Sequence, residues 1–227
     1  GCAQTGTGKT LAFGIPMIQR LAIQKAHGLV LLPTRELALQ VNAVLEKIGG
    51  PFGLRTAVLI GGASINVQLQ QLRRNPHIVV ATPGRLNDHL QSRRFSLHQM
   101  KIIVLDEADR MFDIGFMPQI KKILDLAPRE RQTMLFSATM PPEIAKLAAV
   151  YMKIPLRIEV APSGTSAANV EQEIFIIEAS EKMRLLDRLL GEHPQRTLVF
   201  SRTKHGAKKI AAAVRGMGHQ AAELHSN

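Results

Sequence analysis

The sequence has few of the residues that build disulfide, zinc or base-stacking sites. It contains one cysteine, no tryptophan and one tyrosine among 227 residues, and aromatic side chains make up 4%. A single cysteine excludes a disulfide framework and, because the histidines are scattered, a Cys/His zinc module. The longest strong apolar stretch, GLVLLP at 28–33, falls far short of the roughly 18 residues that a membrane-spanning helix needs. We therefore expect a protein of the reducing cytoplasm, without a membrane segment or a secretory leader.

Acidic side chains are also scarce relative to basic ones. The 18 Asp and Glu residues face 29 Lys and Arg residues, which gives a formal net charge of +11. Such an excess favours a polyanionic partner, either a nucleic acid or an anionic membrane surface. Most of it, +9, lies in residues 1–160, and residues 161–227 carry only +2. Apolar residues make up 45% of the chain, enough for one large core or two modest ones, which excludes a disordered tail.

Short apolar runs of strand length alternate with amphipathic helical periods along the chain. One such period is formed by Leu37, Val41, Leu45 and Ile48. This alternation predicts an α/β fold with a mostly parallel sheet and helices on both faces. The predicted strands are 30–32, 56–60, 77–81, 102–105, 133–136, 156–160, 173–177 and 197–200.

The segment 161–169, APSGTSAAN, interrupts the alternation because it is small, polar and uncharged. Such a composition predicts a flexible linker. We therefore predict a first domain over residues 1–160, a linker over 161–169 and a partial second domain over 170–227. The second domain has room for only two strands before the last residue.

Residues 3–10 read AQTGTGKT and lead into an apolar helical pattern. Gly6 and Gly8 allow backbone N–H groups to fold around a phosphate, Lys9 reaches its β and γ oxygens, and the Thr10 hydroxyl can bind Mg²⁺. The generic pattern has glycine where Ala3 stands, and it follows a strand, whereas only two residues precede it here. The alternative is a glycine-rich turn that caps an ordinary helix.

Two acids, Asp106 and Glu107, follow directly after the buried strand 102–105. We expect Asp106 to hold Mg²⁺ and Glu107 to orient or deprotonate the water that attacks a γ-phosphate. Together with Lys9 they form the candidate catalytic set. Without a phosphate loop, the same pair would be interpreted as a solvated acidic loop.

Three other strands end in loops that can donate hydrogen bonds to phosphates at the carboxyl edge of a parallel sheet. Each loop alone is more typical of ordinary turn and capping chemistry, but their recurrence favours binding of a sugar-phosphate backbone. Because aromatic residues are few, we expect little sequence preference and a strong dependence on salt. Composition does not separate RNA from DNA. The loop residues are Pro33, Thr34 and Arg35, then Gly61 and Gly62, then Thr82, Pro83, Gly84 and Arg85.

The eight histidines show no HExxH or other paired spacing. We therefore expect them in loops or at the surface rather than in a functional or structural cluster.

Six short segments of the sequence occur in the order and approximate spacing of the motifs of the DEAD-box ATP-dependent RNA helicases. The chain resembles this family over essentially its whole length. The stretches DEADRMFDIGF and MLFSATM resemble bacterial members of the RhlE kind, and alanine at position 3 is this family's own residue. The segments are AQTGTGKT, PTRELALQ (33–40), the glycine pair 61–62, TPGR (82–85), DEAD (106–109) and SAT (137–139).

The resemblance implies a RecA-like P-loop NTPase domain followed by the beginning of a second one, with ATP and Mg²⁺ as cofactors and RNA as partner. It implies metal binding by Thr10 and Asp106, and coupling between Asp109 and the segment Ser137, Ala138 and Thr139. The three loops would contact RNA, as would Ser201, Arg202 and Thr203 of the FSRT segment. The implied ATP-binding residues are Ala3, Gln4, Thr5, Gly6, Thr7, Gly8, Lys9 and Thr10.

The family's glutamine-containing adenine motif and its arginine-finger motifs do not occur among the 227 residues. We therefore expect these residues to bind ATP and RNA without efficient turnover, and the intact protein to open short duplexes at the expense of ATP. An ATP-gated RNA clamp or assembly module that does not unwind is the alternative. A DNA translocase is a third interpretation.

Overall fold

The computed structural model describes residues 8–24, 26–159, 171 and 173–225. The chain divides into two compact units, Gly1–Ser166 and Ala167–Asn227. The boundary between them falls within the segment predicted as a linker, while the domain bounds given above stay predictions.

The first unit contains a sheet of five parallel strands in the order β2-β3-β1-β4-β5. Its strands coincide with the first five predicted ones to within three residues at either end, and the prediction of a parallel sheet is confirmed. Parallel strands covered on both faces are nearly continuous apolar runs, which is why they were visible in the sequence. The strands are β1 (His27–Leu31), β2 (Thr56–Leu59), β3 (Ile78–Ala81), β4 (Met100–Leu105) and β5 (Gln132–Leu135).

Helices follow each strand of the first unit, as the crossover connections of a parallel sheet require. They are α2 (Arg35–Gly49), α3 (Ile65–Arg73), α4 (Pro83–Gln91), α5 (Ala108–Asp113), α6 (Met117–Leu126) and α7 (Pro142–Tyr151). One more helix, α1 (Lys9–Ile23), precedes β1, and a 3-10 turn lies at Gly50–Phe52.

Two hydrophobic cores lie on opposite faces of the sheet because successive strand residues point to opposite sides. Leu29 and Leu31 of β1 belong to the core that includes residues of α4, α5, α6 and α7. Val30 and Leu32, which alternate with them, belong to the core that includes α1 and α2. The sheet is thus the middle layer of a three-layer sandwich.

The second unit contains α8 (Lys182–Glu192), α9 (Lys204–Gly216) and a 3-10 turn at Ala179–Glu181. The strands predicted at 173–177 and 197–200 are wrong, since neither segment forms a strand. A strand exists only through hydrogen bonds to a neighbour, and these apolar runs are left exposed, with Ile176 98% and Phe200 88% accessible. The strand predicted at 156–160 is also wrong for the residues that are described, among which only Glu159 forms an isolated bridge.

Ile103 tests the central strand β4, where its side chain is fully buried. Ile103→Ala should lower the free energy of unfolding by about 2–5 kcal/mol, because it removes apolar packing and leaves a cavity. Urea unfolding measures this loss. Lys101→Ala, an exposed position on the same strand, is the matched control and should change the value by less than about 0.5 kcal/mol.

Candidate functional site

The N-terminus of α1 places a buried cation at the carboxyl edge of the sheet. Gly8 precedes the helix with a left-handed backbone, φ +80°, and its carbonyl accepts hydrogen bonds from the N–H groups of Leu11 and Ala12. Lys9 is only 9% exposed, and its Nζ has no hydrogen-bond partner among the residues that the structure describes. A buried ammonium without a partner is costly, which favours an anionic ligand at this place.

Thr10, also part of the predicted phosphate loop, is half-buried at the second position of α1. The predicted ATP-binding residues Ala3, Gln4, Thr5, Gly6 and Thr7 lie outside the described residues.

Asp106 lies directly after β4, beside the end of β1. Its N–H donates to the carbonyl of Leu31, which extends the pairing of β1 and β4 by one residue. Its carboxylate is buried, and Oδ1 accepts from the N–H of Glu107 at 3.0 Å. Burial raises the pKa of Asp106, and the positive charge of Lys9 opposes that shift. The structure therefore brings the predicted phosphate-binding cation and the predicted metal-binding carboxylate together.

Glu107 turns the chain from β4 into α5 through a left-handed backbone, φ 53° and ψ 52°. A residue with a Cβ adopts this conformation at a cost of about 1 kcal/mol or more, and such strain is concentrated at functional sites. The side chain is 12% exposed, and its Oε2 accepts from Nη1 of Arg110 at 3.2 Å. The turn thus separates two neighbouring carboxylates, one near Lys9 and the other paired with Arg110.

Asp109 joins α5 to the segment that follows β5. Its N–H donates to Oγ of the fully buried Ser137 at 3.0 Å. Its Oδ2 accepts from the N–H of Thr139 at 2.8 Å and from the Thr139 hydroxyl at 2.9 Å. Burial raises the pKa of Asp109, but the hydrogen bonds from Thr139, Ser137 and the N–H of Arg110 outweigh it and hold the pKa below its usual value. Ala138 lies exposed between the two hydroxyl residues.

The loops after β1, β2 and β3 lie side by side, because these three strands are neighbours in the sheet. Thr34, which follows Pro33, caps α2 by accepting from the N–H of Leu37 at 3.3 Å. Arg35 lies against the glycine pair after β2. A Cβ at Gly62 would collide with its guanidinium, and one at Gly61 would lie 3.7 Å from its Nε. With φ +75° as well, Gly62 must lack a side chain for Arg35 to occupy this place.

Arg85 contacts the same loop at Ala63. Its Nη1 donates to the carbonyl of Ala63 at 3.0 Å, and its Nε lies 3.6 Å from Oδ2 of Asp88. Thr82 is buried and donates its N–H to the carbonyl of Leu59, while Pro83 and Gly84 form the first turn of α4. The predicted residues of the three loops are therefore held as one surface, in which both Arg35 and Arg85 contact residues 61–63.

The remaining predicted RNA-binding residues belong to the second unit. Thr203 caps α9 by accepting from the N–H of Gly206 at 3.0 Å, and the Ser201 hydroxyl donates to the Thr203 carbonyl at 3.3 Å. Arg202 is exposed.

Two polar residues behind the three loops were missed by the sequence analysis. Gln68 of α3 and His89 of α4 are each 2% exposed, so the expectation that histidines lie in loops or at the surface is wrong for His89. Neither belongs to a motif, and a residue pair 21 positions apart leaves no signal in a single sequence.

Among the described residues, no group of three or more His, Cys, Asp or Glu side chains is arranged to hold a metal ion. The same residues contain no helix that is long and apolar enough to span a membrane. A divalent cation here would depend on one or two carboxylates and on oxygen atoms of a ligand, as Mg²⁺ commonly does.

Comparison with known proteins decides the family. The model of the DEAD/DEAH box helicase family matches residues 1–147. The chain belongs to this family. The relatives that match over the whole chain include an ATP-dependent rRNA helicase RRP3 of Yarrowia lipolytica, 42% identical, and a DEAD-box ATP-dependent RNA helicase CshA of Geobacillus kaustophilus, 40% identical. The chain covers 48% and 49% of their lengths, so it spans about half of these relatives.

A solved structure supports the same assignment. The crystal structure of a DEAD box protein from the hyperthermophile Methanococcus jannaschii is 38% identical, with a TM-score of 0.67 over 99% of this chain and 61% of that one. The five-stranded parallel sheet with its helices is therefore the RecA-like fold of DEAD-box helicases. The finer resemblance to the RhlE kind stays a prediction.

Thr139→Val tests the contact between Asp109 and the SAT segment. The carboxylate of Asp109 stabilises the fold above its unfolded pKa, and this contribution is lost as the pH falls through the depressed folded pKa. Loss of the hydroxyl donor should raise the Asp109 pKa and lower the unfolding free energy at pH 7 by about 0.5–1.5 kcal/mol. Carboxyl NMR titration and urea unfolding at pH 7 and pH 3 measure both effects.

Thr133→Val is the control, because the Thr133 hydroxyl accepts from Nε of Arg131 and does not contact Asp109. An Asp109 pKa that is the same in wild type and Thr139→Val would contradict the assignment of the shift to this hydroxyl.

Proposed function

We propose that this chain is the nucleotide- and RNA-binding part of an ATP-dependent RNA helicase, which couples RNA-stimulated ATP hydrolysis to local, non-sequence-specific duplex opening. The observation that carries the proposal is the buried ammonium of Lys9 beside Asp106, which has no hydrogen-bond partner among the described residues and lies at the same sheet edge as the loops with Arg35 and Arg85. The relatives named ATP-dependent RNA helicases agree with it.

The residues at the N-terminus of α1 fit a nucleoside triphosphate. The Lys9 ammonium is buried without a partner in the described part of the chain, and a phosphate would supply one. Residues 3–10 would bind the phosphates of ATP, and Thr10 and Asp106 would hold Mg²⁺. When bound, ATP with Mg²⁺ supplies the phosphoryl group whose transfer to water drives the cycle.

Glu107 would orient the attacking water and accept its proton. Its backbone is left-handed, and its Oε2 accepts a hydrogen bond from Nη1 of Arg110 at 3.2 Å. Two adjacent acids would in this way perform different tasks, since Asp106 interacts with Lys9 and Glu107 with Arg110.

Asp109, Ser137 and Thr139 would couple the nucleotide to RNA. Asp109 follows Glu107 on α5, so a shift of this turn on nucleotide binding would pass through its three hydrogen bonds to the segment after β5. Because that segment leads into α7, the coupling has a direct covalent path out of the site.

The three loops would contact the sugar-phosphate backbone of RNA. Arg35 and Arg85 supply the charge, and the residues around them supply backbone N–H groups and hydroxyls. Ser201, Arg202 and Thr203 would add contacts from the second unit. With few aromatic side chains available, recognition would depend on phosphates rather than on stacked bases.

The 227 residues alone would bind both ligands and hydrolyse ATP slowly. The family's arginine-finger motifs do not occur among them, and loss of such a finger costs on the order of 10³–10⁵ in rate in comparable NTPases. We place the protein in the cytoplasm, because a chain with one cysteine has no disulfide framework that would require an oxidising compartment.

Glu107→Gln in the full-length protein should retain ATP binding and lower turnover by about 10²–10⁴, because the amide cannot accept a proton. Lys9→Ala should lose both binding and turnover. Nucleotide fluorescence, steady-state ATPase assays and strand release from a short RNA duplex measure these effects.

Asp113→Asn changes an exposed acid at the end of α5, the helix that begins directly after Glu107, and is the matched control that should behave as wild type. ATP hydrolysis that survives Glu107→Gln would overturn the role of Glu107. A wild-type protein that crosslinks to RNA in the presence of ATP but releases no strand would be an RNA clamp.

Arg35→Ala and Arg85→Ala should each weaken binding of single-stranded RNA. Each should also lower the slope of log Kd against log salt concentration by about 0.7, the value for one phosphate that is no longer neutralised. Fluorescence anisotropy at several salt concentrations measures the slope. Arg129→Ala, an exposed arginine between α6 and β5, removes the same charge at the opposite edge of the sheet and should leave the slope unchanged.

Equal ATPase stimulation by RNA and DNA of the same length would contradict the assignment of RNA as substrate.

A further inference from the structure

A polar pair is buried behind the three loops, with one side chain from helix α3 and the other from helix α4. Gln68 of α3 and His89 of α4 are both 2% exposed, and Nε2 of His89 lies 3.1 Å from Oε1 of Gln68. Burial of two polar side chains is unfavourable unless their hydrogen bonds are satisfied. The hydrogen bonds that the two side chains make must therefore offset the cost of burying them.

The side-chain amide of Gln68 binds both ends of the loop after β2. Nε2 donates to the carbonyl of Ile60 at 2.9 Å and to that of Ala63 at 3.4 Å. These two carbonyls are on either side of Gly61 and Gly62. One side chain thus fixes the span of a loop that contains two glycines and would otherwise have more conformational freedom than most residues allow.

His89 determines which way the Gln68 amide faces. Burial lowers the pKa of His89, with Arg85 and Arg94 adding to the shift and Asp88 opposing it. Its Nδ1 has no hydrogen-bond partner among the described residues, so a proton there would lack an acceptor. The neutral imidazole therefore carries its proton on Nε2 and donates to Oε1 of Gln68, which turns the amide nitrogen toward the two carbonyls.

The loop held in this way carries the contacts of both arginines. The Ala63 carbonyl that accepts from Gln68 also accepts from Nη1 of Arg85 at 3.0 Å. The guanidinium of Arg35 lies in the space that a side chain on Gly62 would fill. A displacement of residues 60–63 would consequently change the contacts that hold the guanidinium groups of both Arg35 and Arg85.

We propose that Gln68 and His89 are positioning residues of the RNA-binding surface, which act through the Gly61–Gly62 loop to place Arg35 and Arg85 for phosphate contacts. This inference rests on the RNA-binding role proposed above.

The test uses substitutions that change no charge. Gln68→Met removes both donors at nearly constant volume, and His89→Leu removes the donor that orients the amide. His89→Gln keeps an N–H donor and is the conservative variant. Asn42→Leu is the matched control, because Asn42 is a polar residue of α2, 8% exposed, whose Oδ1 has no partner within the described part of the chain.

Fluorescein-labelled single-stranded oligouridine RNA is titrated with the full-length protein at several salt concentrations, and ATP binding and urea unfolding are measured alongside. Gln68→Met and His89→Leu should raise the RNA Kd about tenfold, within the range for buried donors and acceptors left unpaired. They should also lower the salt slope by about 0.7 for each phosphate that an arginine no longer reaches, although neither changes the charge of the protein. The Kd for ATP should stay within about twofold. His89→Gln should restore most of the RNA affinity and slope.

Three outcomes would overturn the proposal. If wild type binds RNA and Gln68→Met and His89→Leu bind it with the same Kd and slope, the pair does not position the arginines. If Asn42→Leu lowers RNA affinity and slope as much as they do, the effect is only one of stability. If Gln68→Met does not fold, equal RNA affinity of His89→Leu and His89→Gln overturns it. A wild-type protein that does not bind RNA, or whose affinity is unchanged in Arg35→Ala and Arg85→Ala, instead refutes the proposed RNA surface itself.

Discussion

Parallel pairing of five strands is the constraint on which the rest of this structure depends. Every strand of a parallel sheet ends at the same edge, so the loops after β1 to β5 meet there although they are up to about a hundred residues apart in sequence. The N-terminus of α1 and the acids after β4 belong to this edge, as do the loops with Arg35 and Arg85. The two buried faces supply the stability, which leaves the residues at the edge available for ligands.

The edge itself contains groups that work against stability. Lys9 is a buried cation without a partner among the described residues, Asp106 is a buried carboxylate, and Glu107 has a strained backbone. Each is unfavourable in an ordinary protein interior, and the apolar cores on both faces of the sheet offset the cost. Such a concentration of unfavourable features at one place is typical of a ligand site.

The sequence predicted the sheet and the motif residues, because both have local signals. Buried parallel strands such as Ile102–Leu105 are uninterrupted apolar runs, and a phosphate loop or an acid pair is recognised from a few adjacent residues. The apolar runs at 173–177 and 197–200 have the same local signal and yet form no strand, since a strand requires a hydrogen-bonded neighbour that composition does not reveal. The Gln68–His89 pair and the contact of Arg35 with Gly62 join residues more than twenty positions apart, so they could not be predicted from one sequence.

The packing of Arg35 and Arg85 has a consequence for the entropy of binding. A free arginine side chain has about 2 kcal/mol of rotamer entropy, which is lost when a ligand orders it. Here the guanidinium of Arg35, an exposed residue, lies against Gly62, and Arg85, whose side chain is 13% exposed, contacts Ala63 and Asp88. Part of that entropy is therefore lost during folding rather than on binding. A bound phosphate backbone would then retain a larger part of its attraction to the two guanidinium groups, and the surface would bind in nearly the shape that it has when free.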